Sequence, residues 1–267
     1  MRIFFYKEIE FFIKKIFFSK SFLLKRKLIR IISNNSNNEE TELELLKKII
    51  IPKSDVIDIG VYRGVYTFEM SKYAKMVHSF EPNPLIFNYL FKNLRKIINN
   101  VTLYNFAISD KSKKVNLKIP IRNPNANKKN YEEYFALGRS SIHLKNTFQK
   151  FKTFKVYSKK IDDFIFSNKI SFIKIDVEGH EKNVVKGCKK LIKKDKPVLL
   201  IEIEERYTKE KIGRTLRYIN SLGYRSCFYK NKTIKFTKNS KKLNLIRNFL
   251  FIPKKSGLLK FVKKTWF

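Results

Sequence analysis

From about residue 40 onward the chain alternates short apolar runs with amphipathic segments. Five apolar runs predict buried strands, at residues 55–59, 76–80, 101–106, 172–175 and 197–203. Apolar residues at helical spacing predict helices between and after them, at residues 63–73, 85–98, 181–193 and 208–221. Strands that alternate with helices favour an α/β fold, in which a mainly parallel sheet carries helices on both faces. Residues 224–229 and 233–236 predict a hairpin at the sheet edge.

The two ends of the chain differ in pattern from its centre. Residues 1–38 combine phenylalanines at helical spacing with lysines, so we interpret them as a basic aromatic N-terminal extension. Residues 39–240 contain the alternating pattern and are predicted to form one domain. Within it, residues 120–152 are polar, and we expect a mobile insertion there. Residues 241–267 mix lysines with Leu, Phe and Trp and predict a basic amphipathic C-terminal tail.

The chain has 59 basic and 23 acidic residues, and its net charge of +36 first suggests a nucleic-acid partner. The basic residues are 47 Lys and only 12 Arg, whereas arginine is preferred for recognition of bases and phosphate. Residues encoded by A/T-rich codons are enriched together, so a biased genome accounts for much of the lysine. We therefore do not base a function on the total charge.

Much of this charge lies at the ends, since residues 1–32 carry a net +7 and residues 230–267 a net +12. Basic and apolar residues in segments too short to span a bilayer suit an interfacial anchor on an anionic membrane. The alternative is that both ends pack on the domain. The sequence has only two cysteines and shows neither a signal peptide nor an apolar span, so we expect a cytoplasmic protein. Attachment to the membrane surface through the two ends would be compatible with this location.

The first predicted strand ends in a glycine-rich turn, from Asp58 through Gly60 to Gly64, that opens a helix. Glycine permits a sharp turn and the close approach of a ligand. Glu81 ends the second strand, where its carboxylate can accept hydrogen bonds from two ribose hydroxyls. Asp58 would repel a pyrophosphate but can hold an ammonium group. The pattern predicts a nucleoside site for S-adenosylmethionine, and a tight strand–helix corner is the alternative.

The fourth predicted strand is followed by Asp176, Glu178, His180 and Glu181, a gathering of acids in a strongly basic chain. Each of the first three is a candidate base, and His180 has the most suitable unperturbed pKa. The alternatives are that the glutamates cap the following helix and that His180 is structural. The spacing D-x-E-x-H matches no metal-ligand signature, so no metal is predicted.

An ordered set of motifs over about residues 50–206 resembles the FkbM family of S-adenosylmethionine-dependent methyltransferases. These motifs are Asp58-Ile59-Gly60 with Gly64, Tyr66 and Thr67, then Phe80-Glu81-Pro82-Asn83-Pro84, Asn105 with Ala107-Ile108-Ser109-Asp110, Ser140-Ser141, Ile161-Asp162-Asp163-Phe164, Lys174-Ile175-Asp176-Val177-Glu178-Gly179-His180-Glu181, and Gly187. Val61-Tyr62 stands where family members often have Ala-Asn. Ser140 and Ser141 fit either a lid over the cofactor or a polar turn.

The resemblance implies a class I methyltransferase fold, with a seven-stranded sheet in the order 3-2-1-4-5-7-6 and strand 7 antiparallel. It implies O-methylation of a hydroxyl on a sugar, glycan, or lipid-linked or secondary-metabolite acceptor. By position, Asp58, Gly60 and Gly64 would line the methionine and ribose end, Glu81 would hold the ribose hydroxyls, and Ala107 would flank adenine. The end of the fourth strand faces the methyl group in this fold, which makes Asp176 the leading carboxylate.

Two other functions remain open at this point. A nucleic-acid methyltransferase would carry a basic aromatic groove beside the site, and amino-methylating enzymes usually have an Asn/Asp-Pro-Pro-Tyr/Phe motif after the fourth strand, where this chain has Asp176-Val177-Glu178-Gly179. A non-catalytic membrane-binding module is the other alternative and depends on the two ends. We favour the O-methyltransferase, with a small-molecule or glycan acceptor rather than a nucleic acid.

Overall fold

A computed structural model of the protein describes residues 41–125, 135–142, 150–204, 212–237 and 243–259. The strands in these segments are β1 (Asp55–Ile59), β2 (Met76–Phe80), β3 (Val101–Tyr104), β4 (Ala107–Ile108), β5 (Lys113–Pro120), β6 (Phe151–Lys159), β7 (Ile170–Ile175), β8 (Val198–Glu202), β9 (Tyr224–Lys230), β10 (Thr233–Phe236) and β11 (Asn248–Pro253). The α-helices are α1 (Leu46–Ile49), α2 (Val65–Met70), α3 (Pro84–Asn93), α4 (Glu181–Gly187), α5 (Lys189–Asp195) and α6 (Ile212–Ser221). Short 3-10 helices cover Thr41–Leu45, Leu94–Lys96, Leu137–Arg139, Ile161–Asp163 and Leu243–Leu245.

Within the described residues the large sheet has eight strands in the order β10-β9-β11-β8-β7-β1-β2-β3. Five adjacent strands of this sheet are parallel to one another: β3, β2, β1, β7 and β8. Strand β11 is antiparallel to both β8 and β9. If β10 is set aside, the remaining seven strands, numbered along the chain within this sheet, have the predicted order 3-2-1-4-5-7-6. The antiparallel strand β11 is strand 7 of that order. The predicted fold class is therefore confirmed, and β10 adds an eighth strand.

The prediction of a separate tail from residue 241 is wrong for residues 248–253, which form β11 between β8 and β9. Phe249 and Phe251 in this strand are fully buried. A strand with partners on both sides and covered faces needs an almost continuous apolar run, and such a run also resembles a membrane anchor. The predicted hairpin does form, from β9 and β10. The predicted N-terminal extension, residues 1–38, and residues 241–242 and 260–267 of the predicted tail lie outside the described residues.

Alternating residues of the central strands supply two apolar clusters, one on each face of the sheet. Val56 packs in one cluster and Ile57 in the other, and the same alternation holds for Phe172 and Ile173 on β7. This is the two-sided core of a parallel sheet. In the described part of the chain, no helix is long and apolar enough to cross a membrane.

The predicted helix at residues 181–193 is divided at Cys188 into α4 and α5. A Cβ atom on Gly187 would lie 2.0 Å from the carbonyl oxygen of Ser109, so only glycine permits this approach. The start of α3 is as predicted, because the Asn83 side chain accepts a hydrogen bond from the Leu85 N–H and Pro84 takes the first helical position.

Strands β4, β5 and β6 form a second sheet in the order β4-β6-β5. Strand β5 ends at Pro120 and β6 begins at Phe151, so the predicted insertion at residues 120–152 is the connection between two paired strands. Part of this connection returns to β5, because Ser141 pairs with Lys118 and Phe135 with Ile121. Mobility of the insertion stays a prediction, and residues 126–134 and 143–149 lie outside the description.

Candidate functional site

The turn from β1 to α2 depends on two glycines in the left-handed region, Gly60 with φ of 89° and Gly64 with φ of 79°. A Cβ atom on Gly60 would lie only 1.8 Å from the carbonyl oxygen of Asp176. The neighbouring strands meet here, because the Asp176 N–H donates to Ile59 O at 2.9 Å and the Gly60 N–H donates to Phe80 O at 3.0 Å. The absence of a side chain at residue 60 therefore brings the ends of β1, β2 and β7 together.

Glu81 is buried at the end of β2, and each of its carboxylate oxygens is held by a backbone donor. Oε2 accepts from the Tyr62 N–H at 2.9 Å and Oε1 accepts from the Asn83 N–H at 2.9 Å. Burial raises the pKa of Glu81 to about 7, while the two N–H bonds act in the opposite direction. Each carboxylate oxygen can accept a second bond, so Glu81 is oriented and retains capacity for two hydroxyl donors.

A cleft of about 630 Å³, open to solvent, lies at the carboxyl ends of these strands. It lies at the sheet edge where parallel α/β folds bind ligands. Of the predicted site residues, six line it: Gly60, Glu81, Ala107, Asp176, Glu178 and His180. Gly64 and Asp58 are not among the lining residues. Gly64 instead precedes α2 as its N-cap.

Asp58 is almost fully buried at the end of β1, beneath the glycine turn. Its Oδ2 accepts a hydrogen bond from the Thr67 hydroxyl at 2.5 Å, and Thr67 in turn contacts the Ser79 hydroxyl at 2.8 Å. Its Oδ1 is buried without a hydrogen-bond partner among the described residues. Burial raises the pKa of Asp58 to about 7, against the opposing effect of the Thr67 bond.

The turn after β7 presents two acids of different character. The Asp176 side chain is 35% exposed and its Oδ2 lies 3.5 Å from the Nζ of buried Lys174. Glu181 is buried, its Oε1 accepts the Gly179 N–H at 2.8 Å, and burial raises its pKa to about 7. Glu181 thus fastens the turn before α4 rather than capping the helix itself, since His180 is the N-cap and Gly179 precedes it, whereas Asp176 lines the cleft.

His180 and Glu178 both line the cleft, and each is also tied to another segment. His180 is buried, and its Nε2 lies 2.8 Å from the hydroxyl of Ser109, just beyond β4. Glu178 has a φ of 53°, and its carbonyl oxygen accepts a hydrogen bond from the Ser141 hydroxyl at 2.9 Å. A role for either side chain as the base stays a prediction. No cluster of three or more potential metal ligands occurs in the described segments.

Residues 135–142 of the insertion bridge the two sides of the cleft. The Ser140 hydroxyl accepts a hydrogen bond from Asn83 Nδ2 at 3.0 Å on the Glu81 side, and Ser141 binds the turn after β7. Gly138 in the same segment packs against the Tyr62 ring, because a Cβ atom on Gly138 would lie only 2.9 Å from that ring. This packing was not predicted, because a glycine in a polar segment gives no signal for an aromatic ring that comes from a distant turn.

A family model described as the methyltransferase FkbM domain matches residues 58–226, which is more than half of the chain. The chain belongs to the FkbM methyltransferase family. Membership confirms the predicted enzyme class, a methyltransferase that uses S-adenosylmethionine, and it confirms the resemblance on which that prediction depended. Among curated proteins no sequence matches this methyltransferase significantly.

Solved structures with a similar fold include the FkbM methyltransferase of Methylobacillus flagellatus KT, at 16% identity and a TM-score of 0.48 over 79% of this chain. This chain spans 50% of that protein. Another is the magnesium protoporphyrin IX methyltransferase of Synechocystis PCC 6803 with bound S-adenosylmethionine, at 8% identity and a TM-score of 0.42, covering 91% of this chain and 95% of that one. A third is an rRNA methylase from Streptococcus thermophilus, at 12% identity and a TM-score of 0.44, covering 79% and 92% respectively.

Proposed function

We propose that this methyltransferase transfers the methyl group of S-adenosylmethionine to a hydroxyl of a sugar, glycan, or lipid-linked or secondary-metabolite acceptor. One observation carries the proposal. The same cleft is lined on one side by Glu81, an oriented buried carboxylate at the end of β2, and on the other by the acidic turn with Asp176, Glu178 and His180.

The first side of the cleft fits the cofactor. Glu81 retains acceptor capacity for the two ribose hydroxyls, and Phe80, Phe106, Ala107 and Ile108 provide apolar surface for adenine. Asp58 does not line the cleft, so its buried carboxylate can contribute only a nearby negative charge at the methionine end, and not a direct contact. When bound, S-adenosylmethionine supplies a methyl carbon attached to a positively charged sulfur.

The second side of the cleft fits a hydroxyl acceptor. Asp176 is partly exposed and can accept a hydrogen bond from the attacking hydroxyl, and Glu178 and His180 lie on the same turn. A base that takes the hydroxyl proton accelerates transfer by roughly 10²–10⁴-fold. Alignment of oxygen, carbon and sulfur contributes more, up to about 7–11 kcal/mol in favourable cases. These carboxylates are also suitable partners for the remaining hydroxyls of a sugar.

Calorimetric titration with S-adenosylmethionine tests the cofactor half of the proposal. We expect the wild type to bind and Glu81→Ala to bind at least tenfold more weakly, since a hydrogen bond to a charged group contributes about 1.5–3 kcal/mol. Glu69→Ala is the matched control, because Glu69 is also buried and accepts two hydrogen bonds, from Lys72 and Tyr73, but lies outside the cleft. Unchanged affinity in Glu81→Ala would refute the ribose assignment, and no binding by the wild type would remove the enzymatic function.

The acceptor half is tested by transfer of a radiolabelled methyl group to a panel of glycans and lipid-linked sugars. We expect label in a methyl ether, which survives mild alkali and is recovered with the sugar after acid hydrolysis. Label that mild alkali releases would indicate a methyl ester, and label on an amine or a nucleic acid would also contradict the proposal. We further expect a cytoplasmic protein that attaches to anionic membranes through the parts of its basic ends outside β11, and failure to sediment with anionic vesicles would exclude that attachment.

A further inference from the structure

Lys174 is a lysine in the interior of the large sheet. It lies on β7 between Ile173 and Ile175, and its side chain is only 2% exposed. A central parallel strand normally carries apolar residues on both faces, and a buried ammonium group costs several kcal/mol unless it is paired. Lys174 begins the motif that continues through Asp176 and Glu178, but the sequence assigned it no role, and its burial requires an explanation.

The strand register places Lys174 on one face of the sheet with acids from three strands. Asp58 on β1 is its direct partner, and Leu200 is its partner on β8. Residues two apart on a strand share a face, so Glu202 and Asp176 follow on the same side towards the cleft. The Nζ of Lys174 lies 3.5 Å from Oδ2 of Asp176.

The remaining groups around this ammonium are an aromatic ring and further acids. The Nζ lies 5.0 Å from the centroid of the Tyr66 ring on α2, which is a favourable position for a cation. The charge of Lys174 also acts on Glu181 on α4, and Glu178 in the preceding turn adds negative charge near Glu202. Glu204, beyond β8, is paired with Arg247 at 3.3 Å.

The charge of Lys174 opposes protonation of its neighbours. Burial raises the pKa of Asp58 and of Glu181 to about 7, and that of Glu202 to about 8. For all three carboxyls the nearby charge of Asp176 raises the pKa further, whereas the charge of Lys174 lowers it. Without this cation, more of these acids would be neutral at pH 7.

We propose that Lys174 is a positioning residue of the methyl-transfer site, whose ammonium holds the Asp176 carboxylate at the cleft and places a positive charge among the buried acids at the ends of β1 and β8. This inference rests on the proposed function and deepens it. The cofactor carries an ammonium group at its amino acid end and a positively charged sulfur, and a hydroxyl proton needs a charged base, so both sides of the cleft depend on nearby anionic carboxylates. Lys174 supplies the charge that permits them to share a buried site.

The test compares the pH dependence of S-adenosylhomocysteine binding in the wild type, Lys174→Met and Lys174→Arg. Methionine retains an unbranched stem of similar volume without the charge, and arginine retains the charge. At pH 7 we expect Lys174→Met to bind S-adenosylhomocysteine about tenfold more weakly than the wild type for each unit by which the pKa of the acids rises. The difference between the two proteins should disappear by about pH 9, where the acids are ionised in both. We expect Lys174→Arg to retain the wild-type midpoint of the pH dependence, because arginine retains the charge. A purely steric role would not separate the two variants by their charge.

The outcomes separate this inference from the proposed function. Binding by all three proteins with one common midpoint overturns the role of Lys174 alone. No binding by the wild type overturns the proposed function and this inference with it. If Lys174→Met does not fold, the double variant Lys174→Met/Glu202→Gln, which removes one charge of each sign, should restore folding as judged by circular dichroism. A double variant that remains unfolded would also overturn the proposal.

Discussion

Replacement of Gly60 by alanine is the sharpest perturbation that the structure offers, because a Cβ atom there would lie 1.8 Å from the carbonyl oxygen of Asp176. Contacts below 3.0 Å are essentially never made by real Cβ atoms, so the oxygen must retreat by about 1.2 Å. That movement strains the hydrogen bond from the Asp176 N–H to Ile59 O. It also displaces the residue that faces the acceptor side of the cleft.

The magnitude has two parts. Alanine in the left-handed region costs about 1–2 kcal/mol, and loss of the backbone hydrogen bond adds about 0.5–1.5 kcal/mol. Gly223 provides the matched control, because its φ of 96° is similar to the 89° of Gly60 but no atom lies within 4 Å of its Cβ position. We therefore expect Gly223→Ala to lose about 1–2 kcal/mol of unfolding free energy and Gly60→Ala to lose about 0.5–1.5 kcal/mol more.

Urea unfolding followed by circular dichroism measures both stabilities, and calorimetry with S-adenosylmethionine measures both affinities. We expect the affinity of Gly223→Ala to equal that of the wild type and that of Gly60→Ala to fall at least tenfold, since a displacement of about 1 Å in a site can cost 10²-fold. If the two variants are equally stable and bind equally well, the close approach of β1 and β7 at Gly60 is refuted.

Two further predictions concern the turn after β7. Burial raises the pKa of Glu181 from 4.5 to about 7, so its carboxyl stabilises the fold fully below about pH 4.5, and this contribution is lost as the pH rises through 7. We therefore expect the unfolding free energy of Glu181→Gln, measured in urea relative to that of the wild type, to rise by at most about 3 kcal/mol between pH 5 and pH 8. A fall in this difference would contradict the assignment. Ser109→Ala removes the hydroxyl 2.8 Å from His180 Nε2 and should lower the unfolding free energy by about 1 kcal/mol, and an unchanged melting temperature would argue against a tether.

The candidate site could be predicted largely from the sequence because its parts are local. Gly60 and Glu81 each follow an apolar run that forms a strand, and the acidic turn with Asp176 follows a third. Parallel strands end at one edge of the sheet, so residues just after them converge whatever the details of packing. This is why six of the eight predicted site residues line one cleft.

The position of β11 could not be predicted in this way. Its run from Asn248 to Pro253 is apolar and flanked by basic residues, and that composition fits a membrane anchor as well as a buried strand. The difference lies in partners that are remote in sequence, β8 and β9. The hairpin of β9 and β10, in contrast, was predicted because its strands are adjacent in the chain.

The sequence alone determined the α/β pattern, the glycine turn and the acids at the strand ends, since each depends on residues within one or two elements. Only the tertiary structure decided that Asp58 is buried and does not line the cleft, and that the Tyr62 ring packs closely against Gly138. It also decided that one lysine among many, Lys174, is buried beside the acids. Burial and charge pairing depend on which strands are neighbours. Strand order is a property of the whole sheet, so it could be expected here only from the resemblance to a known family and not from the periodicity of any one segment.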